Sequence, residues 1–160
     1  MEDSDVNQLC QCACGAARFT IRGRALLRVL CHCTICQSFN RKPYADVTIF
    51  EARAVTLPEK DRVVFRTYRP PPAVQRGRCS ACDGAAITFA RIPLSPKLAV
   101  IPSANFADNT FLPEPSLHIF YDRRVADVED NLPRYSGYWR SQVAFGRCLI
   151  SAVFRGKRSA

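Results

Sequence analysis

The sequence predicts a mainly β protein: a metal-built β-sheet fold with short irregular connections and a helix near its C-terminal end. Three observations carry that prediction. Eight of the nine cysteines fall in tight clusters. Short stretches alternate apolar and polar residues at the period of a half-buried strand. Eleven prolines divide the chain into pieces too short for long helices.

The length, 160 residues, is that of one ordinary domain with enough chain for a real core. Residues 1–8 are expected to be a flexible N-terminus, 9–140 a zinc domain, and 141–160 an extension with a helix and a basic tail. The start, Met1-Glu2-Asp3-Ser4-Asp5, is acidic and lacks the apolar run of a secretory signal. No stretch approaches the roughly 20 apolar residues that span a bilayer. A cytoplasmic chain with reduced thiols is therefore expected.

The elements follow in order. Residues 16–22 alternate, with Phe19 and Ile21 opposite Arg18, Thr20 and Arg22, and read as a strand ended by Gly23. Residues 24–30 read as a second strand running into Cys31. A polar loop is expected over 37–43. Strands follow at 46–51, 54–57 and 62–68, with a turn at 58–61. Pro70-Pro71-Pro72 is expected to stop pairing and lead as extended backbone through Arg76-Gly77-Arg78 into the next cysteines. Residues 85–92, 97–101 and 117–121 read as strands, with a loop at 106–115. Within 141–155, Phe145, Cys148, Leu149, Ala152 and Val153 keep helical spacing, which predicts a helix docked on the sheet.

The cysteines define the chemistry. An odd count in a reducing compartment favours metal over disulfides. Cys12-Ala-Cys14-Gly15 pairs with Cys79-Ser-Ala-Cys82 to close a four-thiolate zinc site, clamping the N-terminal strand to the middle of the fold. On a strand, Cys12 and Cys14 would point to one face. Cys10 extends the alternation and competes as a ligand; Gly15 favours Cys12 and Cys14, leaving Cys10 a spare thiol. Cys31, Cys33 and Cys36, in Cys-His-Cys-Thr-Ile-Cys, remain for a second, open zinc site. Three thiolates make zinc a poor generator of hydroxide but a good holder of a further thiolate. That chemistry fits thiol addition to a carbonyl or its reversal. His32 as a fourth ligand is the alternative, disfavoured because it alternates away from its neighbours; a metal-free reactive trio is another. His118 is expected to be a packed, hydrogen-bonded residue and Asp130 a turn cap. Cys148 stands alone in an apolar segment.

The formal net charge is +9. Its arginines are scattered in the pattern of a solvated face. Arg41, Lys42 and Arg78 lie near the cysteine clusters in sequence and are candidates to meet substrate carboxylates. Nucleic acid is a second class of partner suggested by the charge, but no basic stripe interleaved with aromatics supports it.

The three clusters, with Leu117-His118-Ile119 and Asp130-Asn131-Leu132-Pro133-Arg134-Tyr135, resemble the glutathione-dependent formaldehyde-activating enzyme (GFA) and centromere protein V family over about Cys10 to Tyr135. The resemblance implies an Mss4-like fold with one structural and one labile zinc. It implies carbon–sulfur lyase chemistry on formaldehyde and glutathione, through S-hydroxymethylglutathione. Cys12, Cys14, Cys79 and Cys82 match the structural ligands; Cys31, Cys33 and Cys36 match the catalytic second site. The departures fall elsewhere: Gln37 replaces an arginine, 38–42 lack a glycine, the triple proline replaces a Ser-rich approach, and Trp139 follows rather than precedes the Leu-Pro segment. A non-catalytic zinc module for nucleic acid or protein, and a metal or redox buffer, are the competing readings.

Overall fold

Ten strands and two α-helices make up the regular structure among the described residues of the computed structural model, which are 7–57, 59–71 and 73–158. The flexible start expected over residues 1–8 and the basic tail lie partly outside those residues, as do Pro58 and Pro72. No helix among the described residues is long and apolar enough to cross a membrane. The fold is mainly β, as the alternation and prolines predict.

The large sheet has seven strands in the order β10-β3-β4-β9-β8-β7-β6. Its members are β3 (Leu27–Cys31), β4 (Ala45–Glu51), β6 (Val63–Arg66), β7 (Val74–Cys79), β8 (Ala85–Ala90), β9 (Leu98–Pro102) and β10 (His118–Ile119). All neighbours are antiparallel except β10, which runs parallel to β3. A three-stranded antiparallel sheet, β1 (Gln8–Gln11), β2 (Arg18–Ile21) and β5 (Val55–Thr56), covers part of one face.

Two cores follow from strand alternation. β4 and β9 lie inside the sheet and bury side chains on both faces. Phe50, Ala99 and Ile101 join Phe19, Ile21 and Ile87 in the core between the two sheets. Val47, Ile49 and Leu98 join Leu27, Val29 and Leu117 in a core on the opposite face. Helix α2 (Tyr138–Arg158) closes that second core with Ala144 and Leu149. The buried Leu149 contributes about 1.5–3 kcal/mol. Ser141, fully buried, fixes the helix start: its hydroxyl accepts from the Phe120 amide at 2.8 Å and donates to the Tyr135 carbonyl at 3.2 Å.

Several sequence expectations change. The loop expected from 37 begins as helix α1 (Thr34–Asn40). Cys33 caps its start and Arg41, at φ 52°, ends it in the left-handed region, its amide bonding to the Gln37 and Ser38 carbonyls. Burial of Phe39 under the Arg78 guanidinium, 5.0 Å from the ring centroid, outweighs the turn preference of Ser38 and Asn40. Pro70 and Pro71 lie in the β6–β7 connection, Pro72 lies outside the described residues, and β7 is a full strand from Val74. Two cations and a glycine hide β7 in the sequence. Gly77 is there because a Cβ would sit 2.5 Å from Val63 Cγ1 and 2.9 Å from the Ile87 carbonyl oxygen. The strand expected at 117–121 keeps two residues, since Phe120 adopts φ 54° and Tyr121–Arg123 form a 3₁₀ turn. The helix begins at Tyr138, before the expected 141, and its outer face leaves Val143, Ile150 and Phe154 exposed.

Candidate metal centres

Four thiols meet at the edge of the core between the sheets, with Cys12 and Cys79 buried, Cys82 half-buried and Cys14 exposed. Cys12 and Cys14 do not lie on a strand as expected: β1 ends at Gln11 and they sit in the turn that follows. Gly15 makes that turn at φ 76°, its amide bonding to the Cys12 carbonyl at 2.9 Å. Cys79 ends β7. Cys82 is brought back by a tight turn in which Asp83 (φ 57°) donates to the Cys79 carbonyl and the Cys79 amide donates to Gly84. The four sulfurs lie within 4.8 Å of one another. Cys12 Sγ is 3.5 Å from Cys14 Sγ, which is 3.8 Å from Cys79 Sγ. Backbone amides of Ala17 and Gly84 point at the Cys12 and Cys82 sulfurs from 3.3 and 3.4 Å.

Cys10 is separate. It is fully buried on β1, and burial pushes its thiol up to about 12. It is a packed apolar residue rather than a nucleophile.

The trio lies in the opposite core. Cys31 ends β3, Cys33 caps α1 and Cys36 stands in its first turn; the three sulfurs are also within 4.8 Å of one another. The Cys36 amide donates to Cys33 Sγ at 3.3 Å. Thiols of Cys31 and Cys36 donate toward Cys33 and hold it well below the usual thiol range, with the Arg76 charge adding to the effect. Bonds to Cys33 and Cys36, then burial, push Cys31 up.

Behind the trio runs a buried polar chain that sequence reading placed only in part. His32 points away from its cysteine neighbours, as the alternation predicts. Its Nε2 lies 2.8 Å from His118 Nδ1, and His118 Nε2 lies 2.8 Å from Asp130 Oδ2. Asp130 also accepts from the Leu132 amide and Arg134, so its role as a turn cap is joined by a second one. Burial raises the Asp130 carboxyl, but His118, Leu132 and Arg134 together outweigh it and keep it ionised. An ionised Asp130 can only accept, so His118 Nε2 donates to it, and in the neutral imidazole Nδ1 then accepts from His32 Nε2. Burial pushes His32 down to about 4, so it is neutral. Its Nδ1 is left as a lone pair without a partner among the described residues. Tyr44 and Tyr121 pack on the ring at 5.0 Å. Gln37, at the position where the resemblance leads one to expect arginine, donates to the carbonyls of His32 (2.7 Å) and Arg123 (2.8 Å), tying α1 to this chain.

Zinc–sulfur bonds of about 2.3 Å in a tetrahedron set sulfurs about 3.8 Å apart. The 3.5 and 3.8 Å separations in the four-thiol group fit that spacing, and the amide-to-sulfur bonds suit thiolates. Both groups can hold a metal ion. A family model for "glutathione-dependent formaldehyde-activating enzyme" matches residues 8–123, which includes all seven of these cysteines. The chain belongs to the GFA family. The crystal structure of a Rhodobacter sphaeroides protein shares its fold with a TM-score of 0.51 at 11% identity, covering 79% of this chain and 98% of that one. No curated protein matches the sequence.

In this GFA-family chain two cavities flank α1, and they divide the sequence-predicted basic residues. Arg41 and Lys42 line a cavity of about 470 Å³ together with Cys12 and Cys82, on the four-thiol side. Arg41 also pairs with Asp83 at 2.5 Å. Arg78 holds Tyr68 Oη, the Asp83 carbonyl and the Ser38 carbonyl, so its guanidinium ties α1 to the Cys82 turn. The second cavity, about 240 Å³, is lined by Cys36 of the trio. Among the described residues its one cation is Arg76, which sequence reading passed over. The strand register could have found it: Arg76 pairs with Thr88, which pairs with Val100, and all three line this cavity.

Proposed function

We propose that this chain is a zinc-dependent carbon–sulfur lyase-like enzyme that joins a small thiol to formaldehyde or a related aldehyde, and splits the adduct, beside Cys31, Cys33 and Cys36. Glutathione, giving S-hydroxymethylglutathione, is the thiol that the family's description points to. The observation that carries the reading is the difference between the two cysteine groups. Among the described residues four thiols, enough to close a tetrahedron, meet in one group and only three in the other; cavities reach both, at Cys12 and Cys82 in the first and at Cys36 in the second, so the count of thiols is what separates them.

In the reaction, the thiol sulfur bonds to the carbonyl carbon, the carbonyl π bond opens, and the thiol proton ends on the new hydroxyl. No oxidant or reductant is needed. Zinc held by three thiolates would keep a fourth thiol ionised while leaving its sulfur electron-rich. The chain supplies the rest. Cys31 and Cys33 are fixed at the end of β3 and the cap of α1. The His32–His118–Asp130 chain holds the residue between them. Cys12, Cys14, Cys79 and Cys82 hold the structural zinc in this reading. Arg41, Lys42 and Arg78, proposed from sequence as carboxylate partners, do not line the Cys36 cavity, and Arg76 does.

Exchange spectroscopy on formaldehyde–thiol mixtures tests the reading, because it measures adduct formation and breakdown at equilibrium. The zinc-loaded protein is expected to speed exchange above the uncatalysed rate, and Cys33→Ser to abolish the increase. No acceleration with any thiol at full zinc loading refutes it.

A further inference from the structure

The cavity beside Cys36 has a composition that a peptide thiol does not match. Its floor is one face of the large sheet, read off the strand register. Val74, Ala90 and Leu98 form one cross-strand row, and Arg76, Thr88 and Val100 form the next. Phe120 and Phe145 add aromatic walls from the end of β10 and from α2. Arg76 is half-buried, and among the described residues it forms no ion pair with a carboxylate; its guanidinium lies 5.8 Å from the Tyr68 ring centroid. Arg76 and Cys36 line the same cavity. The volume, about 240 Å³, is below the roughly 300–1,000 Å³ that holds drug-sized ligands. Glutathione carries two carboxylates and an ammonium on a tripeptide body. Among the described residues this cavity offers one cation, the neutral polar side chains of Asn40, Thr88 and Gln142, no carboxylate, and otherwise apolar walls.

We infer that the thiol received at Cys36 has a short apolar body and a single anionic group, a mercaptoalkanoate-like or mercapto-aryl acid, with Arg76 binding the anion and the Val74–Ala90–Leu98 row binding the body. The inference rests on the reading that a small thiol enters beside the trio, and names its class. Burying each methylene is worth about fourfold in affinity. A charge-assisted bond from Arg76 is worth roughly 10- to 100-fold. The competing role for Arg76 is to neutralise the trio alone, with no contact to ligand.

Cobalt(II)-loaded protein separates these. Each thiol that binds at the trio alters the sulfur-to-cobalt absorption, and cobalt content is checked after every titration. Affinity is expected to rise about fourfold per carbon from 3-mercaptopropionate to 6-mercaptohexanoate. 6-Mercaptohexanoate is expected to bind at least tenfold more tightly than glutathione. Arg76→Gln should weaken 6-mercaptohexanoate at least tenfold while leaving 6-mercaptohexanol within about twofold. Arg76→Lys, which keeps the charge, should recover most of the loss and guards against a folding defect. If thiols alter the spectrum but glutathione binds as well as 6-mercaptohexanoate, the inference is overturned and the thiol reading stands. Equal weakening of acid and alcohol by Arg76→Gln also overturns it, and assigns Arg76 to neutralising the trio. If no thiol alters the spectrum, the underlying reading fails and this inference with it.

Discussion

Replacing His118 by leucine probes the chain that backs the trio. His118 is fully buried and bonded on both ring nitrogens, to His32 and to Asp130, each at 2.8 Å. Asp130 keeps Leu132 and Arg134 as partners and is partly open to water, so its loss counts for little. The cost is concentrated on His32. The buried bond contributes about 1 kcal/mol net, and stranding the His32 Nε2 proton donor adds about 1–3 kcal/mol. His118→Leu should therefore destabilise the protein by about 2–4 kcal/mol. Equilibrium urea unfolding at buffered free zinc measures this without confusing it with metal loss. The double variant His32→Leu/His118→Leu removes both partners, and the cycle should show a coupling of at least about 1 kcal/mol. A single variant costing under about 1 kcal/mol, or a cycle additive within about 0.5 kcal/mol, would refute the pairing and the proton placement built on it.

Other outcomes follow from the same geometry. Gly77→Ala should cost about 1–3 kcal/mol in the same unfolding assay, because the Ile87 carbonyl, unlike the Val63 methyl, cannot yield without moving β8; a neutral result contradicts the β6–β7–β8 packing. In metal-loaded protein at pH 8, a maleimide should label half-buried Cys148 well before Cys10, whose thiol is buried and pushed up to about 12. Mass spectrometry reads the order, and early labelling of Cys10 contradicts its place in the core. Cys79→Ser should cost a large share of the roughly 10–16 kcal/mol that a structural zinc can supply, and unfold the chain at 37 °C. Cys33→Ser should leave the circular dichroism of the fold intact and remove only one metal equivalent; identical behaviour of the two variants contradicts the division into two centres.

The parts legible in the sequence are those governed by local chemistry. Metal coordination restricts ligand type and spacing, so seven cysteines in three clusters sort into a group of four and a group of three before any fold is known. Alternation marks β2, whose faces differ in burial, while β8 and β9 read as short apolar runs bounded by turn residues. The illegible parts depend on pairing between distant strands. Arg76 looks like one of many scattered arginines until β7 pairs with β8 and turns it toward the Cys36 cavity. β7 itself is masked because Gly77 and its flanking cations suit a loop, and only the Val63 and Ile87 contacts explain them. The two histidines of the chain offered a weak signal. Both alternate with apolar strand residues, yet nothing local says that β10 lies parallel to β3 and brings them within hydrogen-bond distance. Helix α1 was obscured by Ser38 and Asn40, whose turn preference gives way to the burial of Phe39.

Metal content under chelation tests most directly whether one chain holds a closed centre and an open one. Purified protein titrated to saturation should bind two zinc ions per chain. A mild chelator should then remove one rapidly, with the fold retained, and the second only as the protein unfolds. A single bound ion, or two ions leaving together in one phase with loss of structure, would contradict the assignment of Cys12, Cys14, Cys79 and Cys82 to a closed site and of Cys31, Cys33 and Cys36 to an open one.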